Sequence, residues 1–290
     1  MLLKDARITQ IIFLGLFLLL GVSTRDWTIQ SNLILVVITS CVITQWILAS
    51  VVKYSKYHDE YSLTNLYSKS NILISPEVLT SLRSALITAL GLCLLLRSNS
   101  PQTMAIAGCL AIASKFLFRH HNKHFFNPAN FGIIAALTLT NDAWVSPGQW
   151  GTDWWYLLLF LGLGGVVLKQ VGRWDTSIAF LLAYGGLEAL RNFWLGWSWD
   201  VWQHQFMSGS LLLFALFMLT DPRSIPNSQK GRLVWSGAIA ISTFILQHYF
   251  YLSTAIFWSL FIVSPLTVLL DTAWHAPRFN WRKFQLTMDN

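Results

Sequence analysis

Ten apolar stretches, each bounded by polar or charged residues, constrain this chain more than any single motif does. They centre on Thr9–Val22, Leu33–Val52, Val78–Leu96, Met104–Phe118, Phe131–Thr140, Trp154–Val171, Thr176–Phe193, Met207–Thr220, Leu233–His248 and Tyr251–Leu270. A membrane-spanning helix needs about 20 largely apolar residues, somewhat fewer where it is broken or half-buried. Only 11% of the residues are charged, against roughly 25% in soluble domains. A surface so poor in charge belongs in a bilayer. The expectation is an all-α polytopic membrane protein of about ten spans, forming a single domain over residues 1–290. The fifth stretch is short, and short helices flanked by glycine and proline tend to line sites rather than face lipid.

Charge sets the expected orientation, because Lys and Arg are retained on the cytoplasmic side. With ten spans and a cytoplasmic N-terminus, one side receives Lys4, Arg7, Lys53, Lys56, Lys69, Arg83, Lys115, Arg119, Lys123, Lys169, Arg173, Arg223, Lys230, Arg232, Arg278, Arg282 and Lys283. The other receives Arg25, Arg97 and Arg191. Both termini are therefore expected in the cytoplasm. Trp144, Trp150, Trp154, Trp155, Trp194, Trp197, Trp199 and Trp202 fall in or beside two outer loops, as in an interfacial aromatic belt; an aromatic vestibule is the alternative. The net charge of +7 then needs no nucleic acid, since attraction to anionic inner-leaflet lipid accounts for it. Lys4 and Arg7 precede an apolar run with no small-residue cleavage site, so the first span is expected to stay uncleaved. Cys41, Cys93 and Cys109 have no CxxC spacing and read as small packing residues, with no zinc or iron–sulfur pattern.

Two polar breaks interrupt the apolar pattern. One is FFNPANFG, the other DPRSIPNSQKGR. Each carries an Asn-Pro or Asp-Pro and reaches a glycine before the chain turns apolar again. Spans three to five and seven to nine would then be related elements of an inverted 5+5 repeat around a central site. The polar segment SKYHDEYSLTNLYSKSNILI, residues 55–74, reads as a cytoplasmic loop with room for an amphipathic helix.

KFLFRHHNKHFFNPANFG resembles the Lys, apolar-aromatic turn and Asn-Pro-Ala stretch of the RnfD component of Rnf complexes and of its counterpart NqrB in the sodium-translocating NADH:quinone oxidoreductase. FALFMLTDPRSIPNSQKGRLVWSG is similar to that family's second signature, and WDTSIAFLLAYGGLEAL to the acidic-x-Ser segment between them. Together these cover roughly Leu79 to Trp235. The resemblance implies a ten-helix membrane component with an inverted repeat, in outline like urea and ammonium channels, that carries flavin and couples electron transfer to sodium or proton movement. It also implies two flavin sites. One is FMN held through phosphate on the Thr of a Ser-Gly-Ala-Thr motif, the other a non-covalent riboflavin beside Asn-x-x-Asn-Pro. Here Asn127 and Pro128 match the Asn-Pro, while His124 stands where the family has the first Asn. Asp221, Pro222, Ser224, Lys230 and Gly231 match the second signature. The loop NDAWVSPGQWGTDW lacks Ser-Gly-Ala-Thr, and Thr152 has the wrong neighbours. No covalent FMN is expected, which points to a divergent, stand-alone type of member.

The residues themselves leave alternatives open. His120, His121 and His124 suggest a metal site, yet no carboxylate or cysteine accompanies them, so interfacial cations on lipid phosphate are expected and no metal. Asn127 and Asn130 either cap the next helix or offer amides to a flavin edge or a urea-like solute. Asp221 either caps or holds a cation. Asp175 and Glu188 invite the same suspicion near span ends, where water reaches them. Lys115 and Lys230 read as snorkelling anchors. Gly162, Gly164, Gly165, Gly185 and Gly186 suggest close helix contacts. The candidate ligand set is thus Asn127, Asn130, His124, Asp221 and Ser224, for a non-covalent riboflavin or FMN or for a solute. Nothing in the chain has a dinucleotide-binding fingerprint, so NADH chemistry would need partner subunits, with quinone as a possible acceptor. A flavin-linked redox or ion-transport component of a bacterial inner or other energy-transducing membrane is the first reading. A transporter or channel for a small solute, cation or flavin-like compound is the second, and a scaffold the third.

Overall fold

The computed structural model describes residues 5–24, 30–60, 75–146 and 154–279. Thr152, Trp150, Lys4, Arg25, Lys69, Arg282, Lys283 and most of the 55–74 segment lie outside them; residues 55–60 of that segment extend the second helix. The helices are α1 (Ala6–Thr24), α2 (Ser31–Glu60), α3 (Pro76–Leu95), α4 (Pro101–Leu117), α5 (Pro128–Leu139), α6 (Trp154–Val171), α7 (Trp174–Trp194) and α8 (Trp199–Phe206). α9 (Gly209–Leu213) runs into a π turn, Phe214–Met218, and α10 (Gln229–His248), α11 (Ala255–Val263) and α12 (Leu266–Ala273) follow. Each of the ten apolar stretches falls on this helical framework.

Proline explains several of the helix starts. α3, α4 and α5 each begin with Pro76, Pro101 or Pro128, where the missing amide costs nothing and φ is already helical. Ser100 and Asn127 cap α4 and α5 by accepting from the amides of Gln102 and Asn130. The tenth stretch differs from expectation. It is two helices, α11 and α12, bent by 47° at Ser264–Pro265, because Pro265 cannot donate to the preceding turn.

Among the described residues, three helices (α1, α2 up to Ser55, and α3) are long and apolar enough to cross a membrane, or four if the bent pair counts as one. The other segments fall short for physical reasons. α5 has 12 residues and α4 has 17. α7 and α10 are 21 and 20 residues long but carry Asp175, Glu188, Arg191, Lys230 and Arg232. The chain is an integral membrane protein with several apolar helices.

α1 to α5 pack as one group, with α2 against α3 and α4, α1 against α3, and α4 against α5; α7, α10 and α11 form a second. The groups meet where Phe126 stacks on Phe261 of α11 at 5.0 Å, and α6 joins the first group through Phe160 stacked on Phe17 of α1 at 4.2 Å. Gly132 lets α5 lie directly on α4, since a Cβ there would sit 2.6 Å from the Ala107 carbonyl. Gly164 admits Leu216 of the π turn in the same way, and Gly185 admits Phe206, whereas Gly162, Gly165 and Gly186 face open space.

The polar parts of the fold bring further corrections. Two short antiparallel strand pairs supplement the helices: β1 (Leu96–Ser98) pairs with β4 (Ala143–Val145), and β2 (Arg119–His120) forms a hairpin with β3 (Lys123–His124). Arg97, expected in a loop, is buried and bonds the carbonyls of Cys93 and Leu96. Asp175 and Glu188 are not water-washed. Asp175 is buried against Arg232, with Oδ2 2.6 Å from a guanidinium nitrogen, and Glu188 is buried with His248 Nε2 at 2.6 Å. Cys41 and Cys93 are buried free thiols. Trp144, Trp155, Trp194, Trp197 and Trp199 are exposed, as lipid-facing or interfacial rings should be.

Candidate functional site

The two breaks touch, and the reason lies in backbone hydrogen bonding. After α9 the helix widens, so that Leu219 donates to the Phe214 carbonyl five residues back. π turns of this kind are rare and concentrate at functional sites. The carbonyl of Met218 would next pair with residue 222, but Pro222 has no amide proton. The Asp221 amide reaches that carbonyl only at 3.4 Å, and Asn127 supplies the shorter bond: its Nδ2 lies 3.0 Å from the Met218 carbonyl, while its Oδ1 accepts from Asn130 N at 3.0 Å. Both ends of this amide are engaged, so Asn127 is a cap and a bridge at once.

His124 and Asp221 form the second contact between the breaks, Nε2 to Oδ2 at 3.5 Å. The contact is too long for a hydrogen bond, and Nε2 has no hydrogen-bond partner among the described residues. Burial pushes the His124 imidazole below its usual range, with Arg223 and Lys115 adding to this and Asp221 resisting. Burial alone would raise the Asp221 carboxyl, yet the His124 ring and Arg223 hold it low. Asp221 does not cap a helix. It turns the chain by accepting from the Arg223 amide at 3.2 Å, and Ser228 caps α10. Asn-Pro therefore closes the first break, whereas Asp-Pro opens the second.

Ser224 is buried inside its own turn, its hydroxyl on the Asp221 carbonyl, and Asn130 directs Nδ2 to the Phe257 carbonyl of α11 at 3.1 Å. Neither lines the cavity described next. His120 and His121 are exposed while His124 is buried, so His124 is not an interfacial cation. Among the described residues no group of three or more His, Cys, Asp or Glu converges as metal ligands would.

Between the breaks lies a two-chambered cavity. The upper chamber is a slot with about 80 Å³ open to a water-sized molecule; its apolar walls include Leu14, Ile87, Leu94, Val167 and Phe217, and its polar edge is Thr88, His124, Asn127 and Asp221. The lower chamber is polar and larger, about 380 Å³, and its lining includes Gln45, Ser81, Lys115 and Arg119. Arg7, Ser84, His124 and Arg223 line both, so the two adjoin. The starts of α1, α3 and α5, the end of α4 and the second break all gather here.

The pattern of apolar stretches conceals several of these residues. Lys115, which reads in the sequence as a snorkelling anchor, is buried and donates to the Ser84 carbonyl and hydroxyl at 3.3 and 3.1 Å. Lys123 ties the β2–β3 hairpin to the second break and α12 through Asp271 at 2.5 Å, the Ile225 carbonyl at 2.6 Å and Asn227 at 3.2 Å. In the sequence both read only as inside-positive charge.

A family model described as "NQR2, RnfD, RnfE family" matches residues 140–280, which contain the π turn, the Asp-Pro break and α10. Over these residues, just under half of its length, the chain is similar to that family. Its curated relatives are named as the D component of an ion-translocating oxidoreductase complex. The protein of Actinobacillus pleuropneumoniae (serotype 5b) is 25% identical over 126 residues, 43% of this chain and 36% of the relative. That of Stutzerimonas stutzeri is 29% identical over 120 residues, 40% of this chain and 32% of the relative. That of Yersinia enterocolitica is 30% identical over 111 residues, 35% and 30% respectively. The chain thus aligns with about a third of the length of these relatives.

Acid should lower the stability of the fold around the breaks. His124 is held below about 6.5 and Asp221 below about 3.8. A depressed group contributes stability that is present above its unfolded value and lost as pH falls through its folded value. Thermal unfolding in detergent should therefore show stability falling as pH drops below about 6.5, with a further fall below about 3.8. A His124→Gln variant should show a shallower fall in the first window; an unchanged profile would contradict this assignment.

Proposed function

We propose that the chain is the membrane component of a redox-linked ion-transport system of the RnfD and NqrB type, in a divergent branch, with a non-covalent flavin bound between its two breaks. The observation that carries this reading is the cavity to which both breaks contribute, bridged by Asn127 to Met218. The names of the relatives supply the context of an ion-translocating oxidoreductase complex, and so of other membrane redox subunits; quinone is the proposed acceptor. The lining suits a flavin chemically: apolar walls flank a polar edge where His124 Nε2 lacks a partner among the described residues. Ligand sites for molecules of this size run about 300–1,000 Å³. A three-ring ligand therefore exceeds the upper slot and fits only across the junction of the chambers, where Arg7, Ser84, His124 and Arg223 would hold it. When bound, the flavin would supply electron transfer, while the protein orients the ring and excludes water from the slot.

The same proposal takes the ten apolar stretches as ten spans in an inverted 5+5 arrangement of urea-transporter outline, with both termini cytoplasmic in an energy-transducing membrane. The gathering of Arg7, Arg83, Lys115, Arg119 and Arg223 around one end of the helices supports it. A second reading, a channel or carrier for a small solute or cation, is favoured by the narrowness of the slot. Purification in mild detergent separates the two. The flavin reading expects a yellow protein whose flavin leaves the polypeptide on acid precipitation. A colourless, folded protein that carries solute in proteoliposomes would overturn it, and flavin retained on the precipitated chain would contradict non-covalent binding.

A further inference from the structure

The lower chamber contains more positive charge than its carboxylates can answer. Arg7, Lys115, Arg119 and Arg223 line it, together with His124. Its one lining carboxylate among the described residues, Glu77, is largely exposed and engages Lys53 at 3.1 Å. Asp5 lies nearby but is shared between Arg7 at 2.8 Å and Arg83 at 2.7 Å. Inside-positive bias explains cations at a membrane surface; it does not explain a buried one whose nearby carboxylate, Asp221, is engaged by His124 and the Arg223 amide. Lys115 is 5% exposed, and the acceptors it reaches are the neutral carbonyl and hydroxyl of Ser84. An ammonium has three donors, so at least one remains for an occupant. Buried charges are ordinarily paired, because desolvating a lone one is costly.

The remaining walls complete a binding site. Arg119 is braced, its Nε on the Lys115 carbonyl and its guanidinium 4.6 Å from the Phe116 ring, so its outer nitrogens are held in place. Arg223 is exposed at the rim and has no carboxylate partner for its guanidinium among the described residues. Gln45, Thr80 and Ser81 add neutral polar groups. Planar guanidinium groups beside an ammonium recognise phosphate oxygens by charge-assisted hydrogen bonds. At about 380 Å³ the chamber has room for a phosphate with its attached group.

We propose that the lower chamber is an anion site that binds a phosphate group, with Lys115 and Arg223 as its principal ligands. The proposal goes beyond the flavin reading and does not depend on it, since the phosphate is placed by the chamber and not by the slot. Two sources share this chemistry: a soluble phosphate ester and the headgroup of an anionic phospholipid.

The test uses the full chain in an uncharged detergent, titrated with inorganic pyrophosphate by calorimetry. In parallel, the chain in nanodiscs of phosphatidylcholine, with and without phosphatidylglycerol, is scored for retained lipid by native mass spectrometry. Saturable pyrophosphate binding near one equivalent supports a soluble ligand. One retained phosphatidylglycerol without pyrophosphate binding supports a headgroup. In either case Lys115→Gln and Arg223→Gln should each weaken binding by about tenfold or more, while Lys230→Gln, on the exposed face of α10, leaves it unchanged. Arg223 is exposed, so that variant carries the test even if Lys115→Gln fails to fold. Absence of both ligands, or equal weakening by Lys230→Gln, would overturn the proposal.

Discussion

Replacing Arg232 with methionine is expected to lower the stability of the detergent-solubilised protein by about 3–5 kcal/mol. Arg232 Nε and Nη2 both donate to Asp175 Oδ2, at 2.9 and 2.6 Å, and Nη1 donates to the Asn227 carbonyl at 2.7 Å. Both side chains are under 10% exposed. Without the guanidinium, a carboxylate at the start of α7 is left buried and unanswered, and the second break loses a tie to α10. Arg173, whose charge also acts on Asp175, holds the cost toward the lower end of the range. The double variant Asp175→Asn with Arg232→Met should recover a large part of the loss, because an ion pair removed whole leaves no orphan charge. Lys230→Gln, two residues away but exposed, should fall within about 0.5 kcal/mol of the parent. Chemical or thermal unfolding followed by helical circular dichroism measures all three. A single-variant loss below about 1 kcal/mol would mean that water reaches Asp175.

Asn127→Ala should cost about 1–3.5 kcal/mol. The figure combines the loss of a helix cap, about 0.5–2 kcal/mol, with the loss of one hydrogen bond to a buried carbonyl that keeps the longer Asp221 amide bond, about 0.5–1.5 kcal/mol. The two parts can be separated. Asn127→Ser keeps an acceptor for Asn130 N but has no amide to reach the Met218 carbonyl, so it should restore the cap share alone. Equal stability of the Ser and Ala variants would show that the bridge to the π turn, rather than the cap, carries the whole effect.

Much of the architecture can be read directly from the sequence. Since length and hydropathy are local properties, apolar runs place every helical stretch except α8, whose Asp200, Gln203 and His204 make it too polar to register. The break at Ser264–Pro265 escapes such a reading because flanking leucines and phenylalanines keep the run apolar across the proline. The paired breaks are visible as Asn-Pro and Asp-Pro, but their likeness is less than the sequence suggests: one proline starts a helix and the other ends one. The charged residues are the least legible. A positive-inside count treats Lys115, Arg97 and Arg232 as interchangeable surface cations, yet all three are buried. Which cations turn inward depends on contacts such as Ser84 with Lys115 or Asp175 with Arg232, formed between residues 31 and 57 positions apart. Spacing along the chain carries no trace of these.

The central claim, that the cavity between the breaks receives a flavin ring, has a direct test at Gly91. Gly91 lines the upper slot, and a Cβ there would meet Ala129 at an ordinary 3.4 Å. Gly91→Leu should therefore fold while filling the slot. Riboflavin titrated into the purified, flavin-stripped chain is followed by quenching of its fluorescence. Saturable quenching near one equivalent in the parent, lost in Gly91→Leu with helicity intact, is the predicted result. Quenching that survives the substitution unchanged would place the flavin elsewhere and contradict the account.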